Sequence, residues 1–233
     1  MALAGTESVA EVHFAVLVSA DAEWRAVKPL LSPETTKTSP YGEYFFANVE
    51  GERVLFFHGG WGKVAAAGST QYVIDHFHPA RLINLGTCGG VEGRIRRFDV
   101  VALEKVVIYD IVEAMGGSKE AVAEYSTSLP LPCRLPVSAV KVTMYSADRD
   151  LTPAGLRELD APYQPIVADW ESGAIAWIAH RNATPILILR GVTDLVNPDQ
   201  ADARDNLQGF HNNTIPVMQS LIADLPKWLA AWR

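Results

Sequence analysis

The chain has 233 residues, of which 48% are hydrophobic and 20% are charged, and its formal net charge is -7. This length suits one α/β domain with a large core, and this composition excludes a disordered chain. Because Lys and Arg form no long run, a nucleic-acid or anionic-membrane surface is not indicated. A small molecule is the expected partner.

The N-terminus, the cysteines and the histidines bear on localisation and metal binding. Residues 1–11 have neither a basic start nor an apolar run, so we expect an N-terminal tail, not a secretory signal, and then one domain over residues 12–233. No apolar stretch approaches the roughly 20 residues of a membrane-spanning helix. Two cysteines fit a cytoplasmic protein. Without an HExxH or CxxC motif we expect neither a metal nor a cofactor.

The first part of the chain predicts a strand, a helix and a hairpin. Val12–Val18 is an apolar run of strand length, and the helical pattern Glu23–Leu31 follows it. The strand candidates Glu43–Val49 and Arg53–His58 flank a short connection that contains glycine and suits a hairpin. Consecutive strands of this kind make the predicted sheet mixed.

A glycine loop, His58-Gly59-Gly60-Trp61-Gly62-Lys63, precedes a predicted helix from Val64 to about His76. Backbone N–H groups at a helix start attract anions, but this loop lacks the spacings of nucleotide-binding loops. We interpret it as a place of close backbone packing, with Trp61 over a pocket or an interface.

Arg81–Leu85 is the next predicted buried strand, and the glycine-containing stretch Gly86–Gly90 follows it. Glycine would let the backbone approach a ligand there, and the Thr87 hydroxyl could donate to that ligand. Cys88 could be a thiol nucleophile or a small buried residue. The lack of a neighbouring histidine favours the second interpretation.

The middle of the chain contains two strand candidates and an irregular segment. Phe98–Leu103 and Lys105–Ile111 are linked without a strong breaker. Val112–Pro136 loses periodicity and carries glycine, serine and proline. We expect this segment to be a long irregular connection of the kind that forms binding loops or lids.

The last third begins with the strand candidate Lys141–Tyr145 and with Thr152-Pro153, a good cap followed by a good first helical residue. A short buried segment then ends in an acid that opens a helix from about Glu171 to Asn182. The apolar strand Pro185–Val192 follows and delivers Asp194 at its end.

An amphipathic helix, broken near Pro226, is predicted to close the chain. Trp228 and Trp232 lie on this helix. Because its polar face is not basic, we expect it to cover the core and not to meet a membrane.

Four polar residues follow predicted strands or core segments, namely Glu23, Thr87, Glu171 and Asp194. Open α/β sheets bind ligands outside the carboxyl ends of their strands, so these side chains can converge in one crevice. Each acid could instead be structural, since acids commonly cap or start helices. Three carboxylates without a metal suit acid and base chemistry on a glycosidic bond.

Five stretches carry a family resemblance through their order and spacing: Val16–Glu23, Gly59–Val64, Ile83–Gly90, Asp169–Ala176 and Leu189–Val196. They resemble the nucleoside phosphorylase and nucleosidase superfamily and, within it, the plant-type branch of the 5'-methylthioadenosine/S-adenosylhomocysteine nucleosidases. The resemblance implies a single three-layer α/β/α domain around a mixed, twisted sheet. It also implies a homodimer, for which Trp61 and the aromatic C-terminal helix are candidate interface residues.

This resemblance implies hydrolysis of a purine nucleoside, foremost of 5'-methylthioadenosine to adenine and 5-methylthioribose. Glu23 would deprotonate the attacking water, and Asp194, with a raised pKa, would protonate adenine at N7. Glu171 would accept hydrogen bonds from the ribose 2' and 3' hydroxyls. The other implied binding residues are Thr87, Cys88 and Gly89 near the sugar and base, the backbone at Leu151 near the adenine edge, and Arg190 beneath the site, where it would hold a carboxylate in place.

Trp170 departs from the family pattern, because the usual residue there is a methionine beside the ribose and the 5' substituent. The bulkier, stiffer ring would shrink or reshape the 5' pocket, which bears most on S-adenosylhomocysteine. Asp150 occupies the neighbourhood in which the common bacterial branch stacks an aromatic residue on adenine. A different nucleoside, such as adenosine or inosine, therefore stays open.

Two other functions also stay open. A phosphorylase of this superfamily would need a glycine- and arginine-bearing first loop to hold phosphate, whereas Ser19-Ala20-Asp21-Ala22-Glu23 is acidic and would repel it. A binding or storage protein could keep the fold without turnover. The presence of all three acids argues against that second alternative.

Overall fold

The protein is described by a computed structural model that covers residues 12–31, 33, 35–201 and 207–233. The predicted tail over residues 1–11 lies outside the described residues. The described part of the chain forms ten strands and six helices. In chain order they are β1 (Phe14–Val18), α1 (Asp21–Leu31), β2 (Lys37–Thr38), β3 (Glu43–Val49), β4 (Glu52–His58), α2 (Gly62–Phe77), β5 (Arg81–Val91), β6 (Val100–Ile108), α3 (Ser118–Glu124), β7 (Thr127–Ser128), β8 (Val140–Ser146), α4 (Pro153–Tyr163), β9 (Val167–Asp169), α5 (Ser172–Arg181), β10 (Ile186–Val196) and α6 (Leu207–Ala231).

Strand β1 packs against apolar side chains on both faces of the sheet. All five of its residues are buried. Because successive side chains point to opposite faces, Ala15 and Leu17 enter one core cluster, while Phe14, Val16 and Val18 enter the other. The continuous apolar pattern is thus that of a central strand covered on both faces.

Helices cover both faces of the sheet. Val73 of α2 and Ile175 of α5 belong to the core cluster on one face. Trp24 of α1 and Trp228 of α6 belong to the cluster on the other face. The predicted three-layer α/β/α arrangement is confirmed, and α6 covers the core as expected.

The sheet is mixed, and part of it closes on itself. Strand β1 runs parallel to β4 and β5, and β5 runs parallel to β10, whereas β9 is antiparallel to β5 and β6 is antiparallel to β10. Strand β6 pairs with β8, and β8 pairs with β9, so β5, β10, β6, β8 and β9 form a ring of five strands. The carboxyl ends of the parallel strands β1, β5 and β10 therefore lie at one edge.

The local turn and cap predictions are confirmed. Strands β3 and β4 pair as a hairpin across Glu50 and Gly51, which both have positive φ, 48° and 91°. Two positive φ angles are what a two-residue hairpin turn requires. The Thr152 hydroxyl accepts a hydrogen bond from the Gly155 N–H (3.1 Å) and caps α4.

The expected strand end at Leu85 is wrong, because Gly86–Gly90 continue β5. Gly86 pairs with Arg190 and Gly90 with Leu195 along β10. A Cβ at Gly90 would lie 2.6 Å from Ile95 Cγ2, so glycine is needed here for close packing within a strand.

Three further expectations differ from the structure. The two strand candidates over 98–111 form the single strand β6, whose irregular register between Leu103 and Lys105 absorbs two consecutive exposed residues. The segment Val112–Pro136 is not wholly irregular, since it contains α3 and β7. Helix α6 continues through Pro226 because the burial of its apolar face offsets the loss of one backbone hydrogen bond.

Candidate active site

A cleft of about 450 Å³ opens at the carboxyl ends of β1, β5 and β10. Eight of the nine site residues predicted from the sequence line it, and the ninth, Arg190, is buried beneath it with 1% exposure. The eight lining residues are Glu23, Thr87, Cys88, Gly89, Leu151, Trp170, Glu171 and Asp194. The fold thus brings the whole predicted set together.

Glu23 is a buried carboxylate that the fold holds at both oxygens. Its Oε1 accepts hydrogen bonds from the Thr87 N–H (2.6 Å) and from the Thr87 hydroxyl (2.8 Å). Its Oε2 accepts from the Ala20 N–H (3.1 Å), as a residue in the first turn of a helix does in a capping box. One side chain therefore caps α1 and also presents a fixed carboxylate to the cleft. The Thr87 hydroxyl, which we expected to donate to a ligand, donates to Glu23.

Asp194 reaches the cleft through an irregularity in β10. The register between β10 and β5 shifts between Val192 and Asp194, which places Asp194 opposite Gly89. Such a bulge can redirect a side chain. The Thr193 hydroxyl donates to Asp194 Oδ1 (2.7 Å), and a Cβ at Gly89 would lie 3.2 Å from Asp194 Oδ2. Glycine at position 89 leaves room for this half-buried carboxylate.

The two acids have neighbouring anchor points on β5. Thr87, which holds Glu23, and Gly89, which lies against Asp194, are two residues apart and thus share one face of the strand. The two anchor points are roughly 7 Å apart along the strand. Both carboxylates are thus held at the same face of β5, which suits an acid and a base that act on one bound molecule.

Cys88 lies between Thr87 and Gly89 on β5, and its side chain points to the opposite face of the strand. It belongs to the hydrophobic core. Burial raises the pKa of the Cys88 thiol well above its ordinary value. The side chain is therefore a small core residue and not a thiolate nucleophile.

Arg190 is the centre of a buried polar cluster under the cleft. Its Nε donates to Asp169 Oδ2 (3.0 Å), and its Nη2 donates to Asn84 Oδ1 (2.7 Å). The same Asp169 oxygen accepts from the N–H and hydroxyl of Ser172, at the start of α5. Burial acts to lower the pKa of Arg190, but the charges of Asp169, Glu23 and Glu171 outweigh it, and the pKa is raised. The guanidinium is a fixed positive charge.

Gly86 allows this cation to lie close to Glu23. A Cβ at Gly86 would lie 2.5 Å from Arg190 Nη1 and 2.9 Å from Glu23 Oε1. No other residue type would fit without displacing one of these two groups. The floor of the cleft therefore joins a buried cation to a fixed carboxylate.

Trp170 and Glu171 line the cleft from the connection between β9 and α5. Glu171 Oε1 accepts a hydrogen bond from the Gly62 N–H (3.1 Å). Burial, together with the negative charges of Asp169 and Glu23, raises the pKa of Glu171 to about 8. The ring of Trp170 stacks on Trp61, with centroids 4.7 Å apart and planes inclined by 27°. Trp61 itself is 65% exposed, at the rim of the cleft.

Comparison with known proteins identifies the family. A family model described as the phosphorylase superfamily matches residues 15–154, which is more than half of the chain. The chain belongs to the phosphorylase superfamily.

Proteins similar to this member of the superfamily include nucleosidases and a hydrolase. The 5'-methylthioadenosine/S-adenosylhomocysteine nucleosidase of Marinomonas sp. (strain MWYL1) is 26% identical over 218 residues, which cover 86% of this chain and 94% of the relative. Among solved structures, the 5'-methylthioadenosine nucleosidase of Arabidopsis thaliana in apo form has a TM-score of 0.76 at 20% identity, covering 93% of this chain and 97% of that one. Futalosine hydrolase of Helicobacter pylori strain 26695 has a TM-score of 0.79 at 12% identity, covering 97% and 99%. These two structures share the fold.

Several cleft residues of this phosphorylase-superfamily chain were not found from the sequence. The sequence shows Asp169 only as the first residue of the Asp169–Ala176 stretch. Its ion-pair partner, Arg190, lies 21 positions away along the chain. Phe210 and His211 line the cleft from α6. Asn213 ties that helix to the site by donating to the Thr193 carbonyl (2.8 Å). An amphipathic pattern identifies such a helix but not the end that meets a cleft.

Within the described residues, His, Cys, Asp and Glu form no group of three or more that could hold a metal ion. None of the helices described above is long and apolar enough to cross a membrane.

Proposed function

We propose that this chain is an N-glycosyl hydrolase that cleaves 5'-methylthioadenosine to adenine and 5-methylthioribose. The observation that supports this most directly is that Glu23, held by Thr87, and Asp194, which lies against Gly89, meet in one cleft on the same face of β5. The activity named for the Marinomonas relative, which matches over 94% of its length, supports the choice of nucleoside.

In the proposed reaction, the bond between ribose C1' and the purine breaks, and water adds to C1'. Asp194 gives its proton to adenine N7, which makes the base a better leaving group. Glu23 takes a proton from the attacking water. For the acid to be protonated near neutral pH its pKa must be raised, and this stays a prediction.

The remaining cleft residues would bind the nucleoside. Glu171 would accept hydrogen bonds from the ribose 2' and 3' hydroxyls, where charge develops in an oxocarbenium-like transition state. Thr87 and Gly89 would line the sugar and base, and the backbone at Leu151 would meet the adenine edge. Arg190, buried under the cleft, would hold the Asp169 carboxylate in place and set its positive charge beside Glu23.

Hydrolysis is favoured over phosphorolysis by the charge of the first loop. Asp21 and Glu23 line the cleft at the start of α1, and Arg25 of the same helix also lines it. A phosphate dianion taking the place of the water beside Glu23 would face a like charge there, whereas a neutral water would not. Residues 12–233 would form the single catalytic domain.

We also propose that the protein is cytoplasmic and that it forms a homodimer. The localisation is supported by the two cysteines, which are both free thiols, as expected for a reducing compartment. The dimer is supported by exposed apolar side chains. Trp61 and Val64 are exposed at the start of α2, and Val112 and Met115 are exposed after β6. An ion pair between Lys63 and Asp110 joins the start of α2 to the segment that follows β6. Exposed apolar groups so close together favour a protein interface. Trp228 and Trp232, the other interface candidates, are buried in the chain's own core. Sedimentation of the parent and Met115→Asp proteins would test this.

The assay for the enzyme is free-base release from 5'-methylthioadenosine, S-adenosylhomocysteine, adenosine and inosine, with and without phosphate. We expect phosphate-independent adenine release that Asp194→Asn abolishes. Strict phosphate dependence would make the protein a phosphorylase. Binding of a nucleoside without release of base, in the parent as in the variant, would make it a binding protein.

A further inference from the structure

Helix α2 begins without a cap from its own sequence. Trp61 occupies the cap position and makes no capping hydrogen bond through its side chain. The first N–H groups of a helix need acceptors, since they have none inside the helix. Two carboxylates from elsewhere in the chain supply them. Glu171 Oε1 accepts from the Gly62 N–H (3.1 Å), and Asp148 Oδ1 accepts from the Lys63 N–H (2.8 Å).

Asp148 is itself held in place by its neighbours. Asp110 Oδ2 accepts from the Asp148 N–H (3.1 Å), and both Asp110 oxygens accept from Lys63 Nζ at 2.5 and 2.6 Å. Asp110 and Asp148 each lie two residues beyond a strand end, β6 and β8 respectively, and these strands run parallel. The helix start is thus held to the sheet by an ionic network in which Lys63 and Asp110 are partly buried and Asp148 is exposed.

The same geometry brings Asp148 against the residue that donates to Glu171. Gly62 has a φ of +83°, and a Cβ on it would lie 3.3 Å from Asp148 Oδ1. Successive N–H groups in one helical turn move together. A shift of the Lys63 N–H would therefore also shift the Gly62 N–H, and with it the hydrogen bond to Glu171 Oε1.

We propose that Asp148 is a positioning residue for Glu171, acting through the first two N–H groups of α2. This inference rests on the proposed function, in which Glu171 binds the ribose hydroxyls. Asp148 would not touch the nucleoside itself, since it lies outside the residues that line the cleft. Its carboxylate would hold the helix start so that one Glu171 oxygen is fixed and the other is free for the sugar.

The charges around Glu171 explain why that contact affects its ionisation. Burial, Asp169 and Glu23 raise the pKa of Glu171, while Arg190 and the hydrogen bond from Gly62 lower it. Losing the Gly62 hydrogen bond would leave the raising influences less opposed. A displaced helix start should therefore make Glu171 hold its proton to a higher pH.

The direct test is a ¹³C NMR titration of the Glu171 carboxyl, assigned with Glu171→Gln, in the parent, Asp148→Ala and Asp148→Asn proteins. Asparagine keeps an oxygen that can accept the Lys63 N–H, whereas alanine does not. We expect the midpoint to rise by about one pH unit in Asp148→Ala, which equals a tenfold change in proton affinity, and much less in Asp148→Asn. Asp99→Ala is the control, since Asp99 accepts the Arg96 N–H (3.0 Å) away from the cleft.

Kinetics give the second readout. In Asp148→Ala we expect KM for the nucleoside to rise about tenfold, with the acidic limb of kcat/KM moved to higher pH, and Asp148→Asn to recover most of the loss. An unshifted Glu171 midpoint in Asp148→Ala, or an equal shift in the alanine and asparagine variants, overturns the inference. A parent protein that releases no base refutes the proposed function instead, and the NMR result then still decides whether Asp148 positions Glu171.

Discussion

Thr87 donates two hydrogen bonds to the same oxygen of Glu23, from its backbone N–H at 2.6 Å and from its hydroxyl at 2.8 Å. Hydrogen bonds to an ionised group are about twice as strong as neutral ones. Together with the Ala20 N–H on the other oxygen, this pair fixes which way the Glu23 carboxylate faces. A base that must take a proton from one water molecule depends on that orientation.

The first prediction concerns the hydroxyl of Thr87. Thr87→Val keeps the shape and the backbone N–H but removes one of the two hydrogen bonds, so Glu23 should lose its orientation. We expect kcat to fall about tenfold, corresponding to about 1.4 kcal/mol. Thr87→Ser, which retains a hydroxyl, should stay within a few-fold of the parent. Steady-state base release measures both, and equal rates for the valine and serine variants would refute this role.

The second prediction concerns the space beside Asp194. A Cβ at Gly89 would lie 3.2 Å from Asp194 Oδ2, so Gly89→Ala should push the carboxylate from its place. We expect a loss of about tenfold or more in kcat, since small displacements of a catalytic group are costly. Gly116→Ala is the matched control, because its Cβ would also meet an atom at 3.2 Å, the flexible Glu113 Cγ on the surface. Comparable losses in the two variants would refute the explanation.

Much of the fold could be predicted because its signals are local. The apolar run of β1, the turn at Glu50-Gly51 and the cap at Thr152 each depend on residues close in sequence. The grouping of Glu23 and Asp194 was also predictable, since the carboxyl ends of parallel strands meet at one edge.

The rest depends on contacts that the local pattern does not contain. The glycine-containing stretch Gly86–Gly90 is recognised as part of β5 only through its pairing with β10. The pairing of Asp169 with Arg190 crosses 21 positions, and that of Asn84 with Arg190 crosses 106. Helix α6 continues past Pro226 because the apolar side chains beyond it, such as Trp228 and Leu229, are buried in the core and stabilise the last turns.

The third prediction follows from the raised pKa of Glu171. Burial, with Asp169 and Glu23, raises this pKa from 4.5 to about 8. The folded protein then keeps a proton that the unfolded chain loses, so this group's contribution to stability falls as the pH rises from about 4.5 to about 8 and is flat above. Glu171→Gln should remove that fall and be more stable than the parent at pH 9, by at most a few kcal/mol.

Urea unfolding of the parent and Glu171→Gln at pH 5 and pH 9 measures this difference. Glu124→Gln, at an exposed glutamate, serves as the control and should follow the parent at both values. A parent and a Glu171→Gln protein with the same pH dependence would show that Glu171 titrates normally in the folded state.

The fourth prediction concerns the buried ion pair of Asp169 and Arg190. Removing one partner of a buried pair leaves the other charge uncompensated, which typically costs about 3–5 kcal/mol. We expect Asp169→Asn to lower the free energy of unfolding by about 3 kcal/mol, at the low end because Glu23 and Glu171 also lie near Arg190. Asp224→Asn, which breaks the exposed pair with Lys227, should cost about 1 kcal/mol or less. Similar values from urea unfolding of the two variants would contradict this.

The last prediction concerns Trp170, whose ring stacks on Trp61 at the rim of the cleft. In the proposed function this ring limits the room for the 5' substituent. Trp170→Met should therefore raise kcat/KM for S-adenosylhomocysteine relative to 5'-methylthioadenosine, by about tenfold if the wall alone excludes the longer group. Trp177→Met is the control, because Trp177 packs against the Tyr125 ring (5.2 Å) on a different surface and should leave the ratio unchanged. A ratio that stays at the parent value in Trp170→Met would mean that the 5' end of the nucleoside lies elsewhere in the cleft, and Phe210 and His211 would be the next residues to change.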